Sequence, residues 1–311
     1  VSDPLAVIAE LPGVPEAVRE ARAAVDRLYG HRVLRRRRPE VTAESALRGA
    51  RASAALEGAD IPLDVVRSGR AESAVVQGAL RVSSEVGRLG DIWRTAPRQV
   101  LARLHVLAAA GLVTDERLLG RPRTDAAPPA GPSSAEPSVS PSAPPSPASS
   151  SSSAPSPVAS DVFSHVRPGV PSGLLDLDAE LGLGPAPGSE ATAARIASLA
   201  ALISAPSEAP ALVLAAIVHA EIVVLRPFGT ADGLVARAAE RLTLVEFGLD
   251  PKSLVTVEAG HFERREAYGE SLRGYLKGTA EGVGGWVRHC AEAVRLGARE
   301  TTAVCEALER G

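Results

Sequence analysis

The sequence predicts an all-α protein, and three observations carry the prediction. Apolar residues recur at helical spacing through most of the chain. Proline and glycine stand where those runs start and stop. No region alternates apolar and polar residues or follows the strand–helix rhythm of a parallel sheet, so at most a small β-hairpin is expected.

Taken in order, the first helix is expected over 15–28, after Pro15. A second follows over 42–56, with Thr42 as its N-cap. Helices over 70–86 and 97–110 continue the pattern, the last stopped by Gly111. The run Arg35 to Arg38 reads as a solvated loop. From Ala126 to Ser160 the chain is almost wholly Pro, Ser and Ala, with Glu136 its only charge. Such a stretch buries too little apolar area to offset chain entropy, and a disordered linker is expected there. Beyond it, 191–203 is an amphipathic helix and 211–225 an apolar, buried one. An eight-residue turn, RPFGTADG, leads to a helix over 234–247 that Gly248 and Pro251 end. Helices over 262–276 and 283–308 complete the chain. The organisation expected is a helical region 1–125, the linker 126–160, and a core 161–311 packed on the first region. Gly182, Gly184 and Gly188 have the wrong spacing for a dinucleotide loop and are interrupted by Pro185 and Pro187.

Composition narrows the function classes. The 311 residues carry a formal charge of −3, which gives no general attraction to nucleic acid or to an anionic membrane. Lys252 and Lys277 are the only lysines and methionine is absent, a pattern expected of a GC-rich bacterial gene. The arginine count is therefore weak evidence of anion binding. With 3% aromatic residues, the core has to be built from Leu, Val, Ile and Ala, with Trp93 and Trp286 as packing residues. Cys290 and Cys305 lie too far apart on one helix to bridge, and read as small core residues. The histidines show no metal-ligand spacing, so no metal site is expected. His219, on the apolar helix, is the nearest substitute for a catalytic base. No signal peptide or membrane span is evident, and a cytoplasmic location is expected.

A helix, a tight polar turn and a second helix aim backbone N–H groups into the turn, which favours an anion there. Residues Arg226-Pro227-Phe228-Gly229-Thr230-Ala231-Asp232-Gly233-Leu234-Val235-Ala236-Arg237 resemble the catalytic loop of the Fic (Fido) family, His-Pro-Phe-x-Asp/Glu-Gly-Asn-Gly-Arg-x-x-Arg. The preceding helix with His219 and the later HFERREAYGESL, with Arg265 and Tyr268, are similar to the family's flanking segments. RASAALEGADIPL resembles its N-terminal inhibitory helix, through Ser53, Glu57 and Gly58. The resemblance implies a Fic-like helical bundle and transfer of AMP from ATP, with magnesium, to a hydroxyl of a target protein.

Position by position, the chemical groups are replaced. Arg226 stands where the base should be, and a guanidinium cannot accept a proton. Thr230 replaces the magnesium-binding carboxylate, Ala231 a glycine, and Leu234 an arginine. Pro227, Phe228, Gly233 and Arg237 remain. Asp232, in the asparagine position, is expected to cap the second helix and fill the anion hole. The resemblance further implies a bridge from Glu57 to Arg237, read either as retained autoinhibition or as an ion pair kept for folding. Three readings follow: a pseudoenzyme acting through binding or regulation, a transferase with altered chemistry, and an interaction protein with no ligand. Nucleotide contacts are assigned to Thr230, Asp232, Gly233 and Arg237, with ATP and magnesium the candidate cofactors and none established by the sequence.

Overall fold

The computed structural model describes residues 3–125 and 181–310, and its regular structure there is helical. The helices are α1 (Pro4–Ala9), α2 (Val14–Tyr29), α3 (Leu34–Leu56), α4 (Leu63–Arg67), α5 (Ala74–Trp93) and α6 (Pro97–Ala109). They continue as α7 (Ser189–Ser204), α8 (Ala211–Leu225), α9 (Asp232–Glu246), α10 (Val257–Glu263), α11 (Arg265–Leu276) and α12 (Ala280–Arg310), with a 3₁₀ turn at Glu116–Leu118. The expected linker 126–160 lies outside the described residues, as does His165.

Several boundaries differ from the sequence expectation, each for a local reason. The arginine run is helical rather than a loop: α3 starts at Leu34 and bends at Arg37 (φ −119°, ψ 22°) just before Pro39. Proline fixes its own φ at a helical value, so it resumes the helix after the bend. Thr42 is therefore interior to α3 and caps nothing. Helix α5 starts and ends later than expected, because Trp93 at its last turn is buried and extends the apolar face. The helix expected over 262–276 is two helices, broken where Arg264 leaves helical geometry (φ −108°, ψ 29°).

Helices α8 and α9 form the centre. Almost every residue of both is buried, which a helix achieves only when neighbours cover all its faces. Helices α5 and α6 pack on α9, and α12 runs along α2, α10 and α11. One contiguous apolar cluster includes residues from before 125 and after 181, built mostly of Leu, Val, Ile and Ala. Trp93 and Trp286 are fully buried, and each indole N–H has a partner: Thr243 Oγ1 at 3.1 Å and the Ala216 carbonyl at 2.7 Å. Among the described residues, no helix is long and apolar enough to cross a membrane.

One feature of α3 prepares the site. Ser45, Gly49, Ser53 and Glu57 follow one another at four-residue steps and are all buried, so they share one face. That face receives two buried arginines of α9, Arg237 and Arg241, themselves four apart. Arg241 reaches Ser45 Oγ and the Glu258 carboxylate, each at 3.3 Å. A Cβ at Gly49 would collide with both members of that pair.

Candidate functional site

The loop between α8 and α9 is held from three sides. Helix α8 ends on Arg226 in left-handed backbone geometry (φ 47°), and α9 is preceded by Ala231, also left-handed (φ 55°). Helix ends leave carbonyls without partners, and Arg123 answers that need here. Its backbone N–H donates to Pro227 O at 2.8 Å, and its guanidinium donates to Arg226 O at 2.9 Å and Leu225 O at 3.3 Å. On the other side, the Phe228 ring stacks on His105, with centroids 4.2 Å apart.

The tautomer of His105 follows from its partners. The Gly120 N–H donates to Nδ1 at 2.9 Å, so the proton sits on Nε2 and faces Thr230 Oγ1 at 3.2 Å. Burial pulls the His105 pKa down to about 4, so the ring is neutral at neutral pH. Thr230 thus serves as a hydrogen-bond partner that anchors the loop. His105 was not singled out in the sequence. Its only available signal was a lone histidine on an apolar helix face.

Asp232 departs from its expected place. It is the first residue of α9 rather than its cap, and the capping position is Ala231. Its carboxyl turns back into the loop and accepts from the Phe228 N–H at 3.1 Å, with the Gly229 N–H also contributing. Burial pushes its pKa up to about 8 against those N–H groups and Arg123, with Glu57 adding to the rise. Asp232 thus bonds loop N–H groups, while another residue brings a carboxyl group against the first turn of α9.

Glu57 supplies it. A Cβ on Gly233 would collide with Glu57 Oε1, so the carboxylate lies against the first turn of α9, the end that favours an anion. Arg237 Nη2 donates to the same oxygen at 2.5 Å. Arg237 also donates from Nε to Ser53 Oγ at 2.9 Å and from Nη2 to Ser53 O at 3.0 Å. Both charged side chains are about 1% exposed. Burial works against the Arg237 charge, but Glu57 and Tyr268 outweigh it and hold the guanidinium pKa above its usual value. The structure thus brings Ser53, Glu57, Gly233 and Arg237 together. Gly58 follows the C-cap in a left-handed turn (φ 82°) and lets the chain leave α3. Arg226, by contrast, donates from Nη2 to Gly184 O at 2.6 Å.

His219 is not a base facing this loop. It is fully buried, with Nδ1 2.6 Å from Glu240 Oε2 and Nε2 2.8 Å from the Tyr268 hydroxyl. His261 Nε2 meets the same Glu240 oxygen at 2.8 Å, and His261 Nδ1 meets His289 Nε2 at 3.1 Å. Burial holds His219 down near 4 and is the chief cause that holds His289 near 3. Burial opposes ionisation of Glu240 as well, but the two imidazoles prevail and keep its carboxyl below the usual range. Tyr268 also bonds Arg237, so hydrogen bonds run unbroken from Glu57 through Arg237 and Tyr268 into the histidine cluster. Gly260 lets α10 approach α12 closely, since a Cβ there would strike the Ala293 carbonyl. The expectation of no metal-ligand spacing missed His219, Glu240 and His261, whose ligand atoms lie within 4.8 Å of one another. They come from three helices at 21-residue separations, which no local motif reveals.

Beside the loop lies a cleft of about 410 Å³, lined in part by Arg98, Ala102, Arg123, Ile196, Pro227 and Phe228. Its wall is mostly apolar, and Glu57 and Arg237 do not line it.

No protein-family model matches the chain, and no curated protein matches it. Among solved structures, it is similar to the crystal structure of a Fic family protein from Desulfovibrio desulfuricans G20. The similarity has a TM-score of 0.61 and 19% identity, and covers 93% of this chain and 74% of that one. The likeness, with the helical architecture, shows that the chain has the all-α Fic fold that its loop sequence resembles.

Proposed function

We propose that this chain is a Fic-fold pseudoenzyme, which does not carry out ordinary AMP transfer and acts by binding or regulation. The observation that carries the reading is the residue at the base position. Arg226 stays charged at any working pH, and its guanidinium donates to the Gly184 carbonyl. Two further features support it. Thr230, at the position of the metal-binding carboxylate, bonds His105, and a neutral hydroxyl is a poor ligand for magnesium. The Glu57 carboxylate occupies the start of α9, where a phosphate would otherwise bind.

The test is calorimetric titration of ATP with magnesium into the wild type and Glu57→Gly, beside an assay for covalent transfer of labelled AMP to protein. The expected result is that Glu57→Gly gains nucleotide binding, that adding Arg237→Ala weakens it, and that neither protein transfers label. Metal-dependent labelling of a protein hydroxyl would overturn the reading in favour of a transferase with altered chemistry. Absence of binding in every variant would overturn it in favour of an interaction protein with no ligand.

A further inference from the structure

The cluster beneath the loop is built like a metal site. Helices α8, α9 and α10 each contribute one group, His219, Glu240 and His261, and all three are buried. Glu240 has no arginine or lysine ion-pair partner among the described residues, and its ion-pair contacts are the two imidazoles. A buried carboxylate needs balancing positive charge, and a divalent ion between these three groups supplies it. We propose that His219 Nδ1, His261 Nε2 and the Glu240 carboxylate hold a divalent transition-metal ion of the zinc class, in a closed site in the helical core.

The geometry requires little rearrangement. Ligand atoms bound at about 2.0–2.1 Å in a tetrahedral site stand roughly 3.3–3.4 Å apart. Glu240 Oε2 now lies 2.6 Å and 2.8 Å from the two ring nitrogens. Outward movement of the Glu240 oxygen by about half an ångström to an ångström, with the two nitrogens, which lie within 4.8 Å of each other, brought to a like separation, admits the ion. The outer contacts are also those a metal site needs. An imidazole that binds a metal through one nitrogen donates from the other. Here the other nitrogens face the Tyr268 hydroxyl and His289 Nε2, and either partner accepts as readily as it donates. Trp286 packs against both rings, edge to face on His219 and stacked on His261, and its indole N–H is fixed on Ala216 O. The Cys290 thiol hydrogen-bonds the Glu240 side chain from outside this group of three.

The ligand chemistry selects the class of ion. Two imidazoles and one carboxylate suit zinc and its neighbours, whereas magnesium and calcium demand six or more oxygen ligands. The inference stands apart from the reading of the loop, since it uses neither Arg226 nor a nucleotide.

Because the site is closed, the ion has to be present while the chain folds. The test uses the full chain without a histidine tag, unfolded and refolded with Zn(II), with Co(II), or with EDTA. Metal content is measured after gel filtration, with thermal melts beside it. The expected result is about one Zn(II) per chain, a higher Tm than the EDTA-refolded protein, and visible bands of tetrahedral Co(II) in the cobalt form. Glu240→Gln keeps the shape of the side chain and is expected to abolish both the bands and the Tm difference. If that variant fails to fold, the cobalt spectrum of the wild type decides alone. Wild type that refolds equally well in EDTA, with no retained ion and no cobalt bands, would show a hydrogen-bonded cluster only and overturn the proposal. That outcome would leave the nucleotide titration untouched.

Discussion

Replacing Glu57 with alanine removes the partner of a guanidinium that is about 1% exposed. The lost contact is the 2.5 Å bond between Glu57 Oε1 and Arg237 Nη2. Breaking a buried pair from one side costs about 3–5 kcal/mol, chiefly because the remaining charge stays buried without compensation. Arg237 would keep its bonds to Ser53 Oγ and Ser53 O, so the loss should fall near the lower figure, about 3 kcal/mol. Replacing Arg237 by leucine in the same protein removes the stranded charge. The double variant should therefore recover part of the loss, with a coupling of about 2 kcal/mol, within the range seen for contacting residues. The assay is equilibrium unfolding in urea of the wild type, the two single variants and the double variant. Additivity within about 0.5 kcal/mol would refute the reasoning, since independent sites behave that way. So would a Glu57→Ala variant as stable as the wild type.

Asp232 gives a pH test. A carboxyl whose pKa is about 8 in the folded protein and 3.8 ordinarily contributes stability that is full at low pH and is lost as pH rises through 8. The stability of wild type relative to Asp232→Asn should therefore fall by about 1.4 kcal/mol per pH unit between about pH 5 and 7, and a flat difference in urea unfolding would count against it. His105 has the opposite sign, since its pKa is lowered to about 4. Its contribution is present above about pH 6.5 and lost as pH falls through 4, so the difference between wild type and His105→Phe should shrink on acidification. Arg123→Ala should cost about 2–3 kcal/mol by removing charged bonds to the carbonyls of 225 and 226. Hydrogen exchange of the loop amides should rise in that variant. Gly233→Ala drives a methyl into the Glu57 carboxylate, so crystals or unfolding data showing an unchanged pair and unchanged stability would contradict the described contact.

The fold class was legible because helical periodicity is a local signal, as the matching bounds of the apolar helix Ala211–Leu225 show. The pairing of Glu57 with Arg237 was also legible, but only through the resemblance, because the two residues lie 180 positions apart. What stayed hidden depends on burial and direction. Asp232 has an ordinary capping residue's chemistry, yet its side chain turns toward the preceding loop once Ala231 takes the left-handed position. Thr42 loses its cap role because Pro39 restarts the helix ahead of it. His105 and the His219–Glu240–His261 group each need partners from distant parts of the chain, and a single chain position carries no trace of them.

The face of α3 that carries Ser45, Gly49, Ser53 and Glu57 is fastened to α9 at two arginines. A helix tied at one point could hinge, but one tied at two points four residues apart cannot pivot without releasing both. Ser45 also donates to Leu254 O at 2.7 Å, which adds a tie to the segment before α10. Lifting α3 would take Ser53 and Glu57 from Arg237 and Ser45 from Arg241, while Arg241 kept Glu258 and Ser253. Turning the Glu57 side chain about its own torsions frees the start of α9 while these ties of the helix stay in place. In mechanical terms, α3 is a wall with one latch mounted on it.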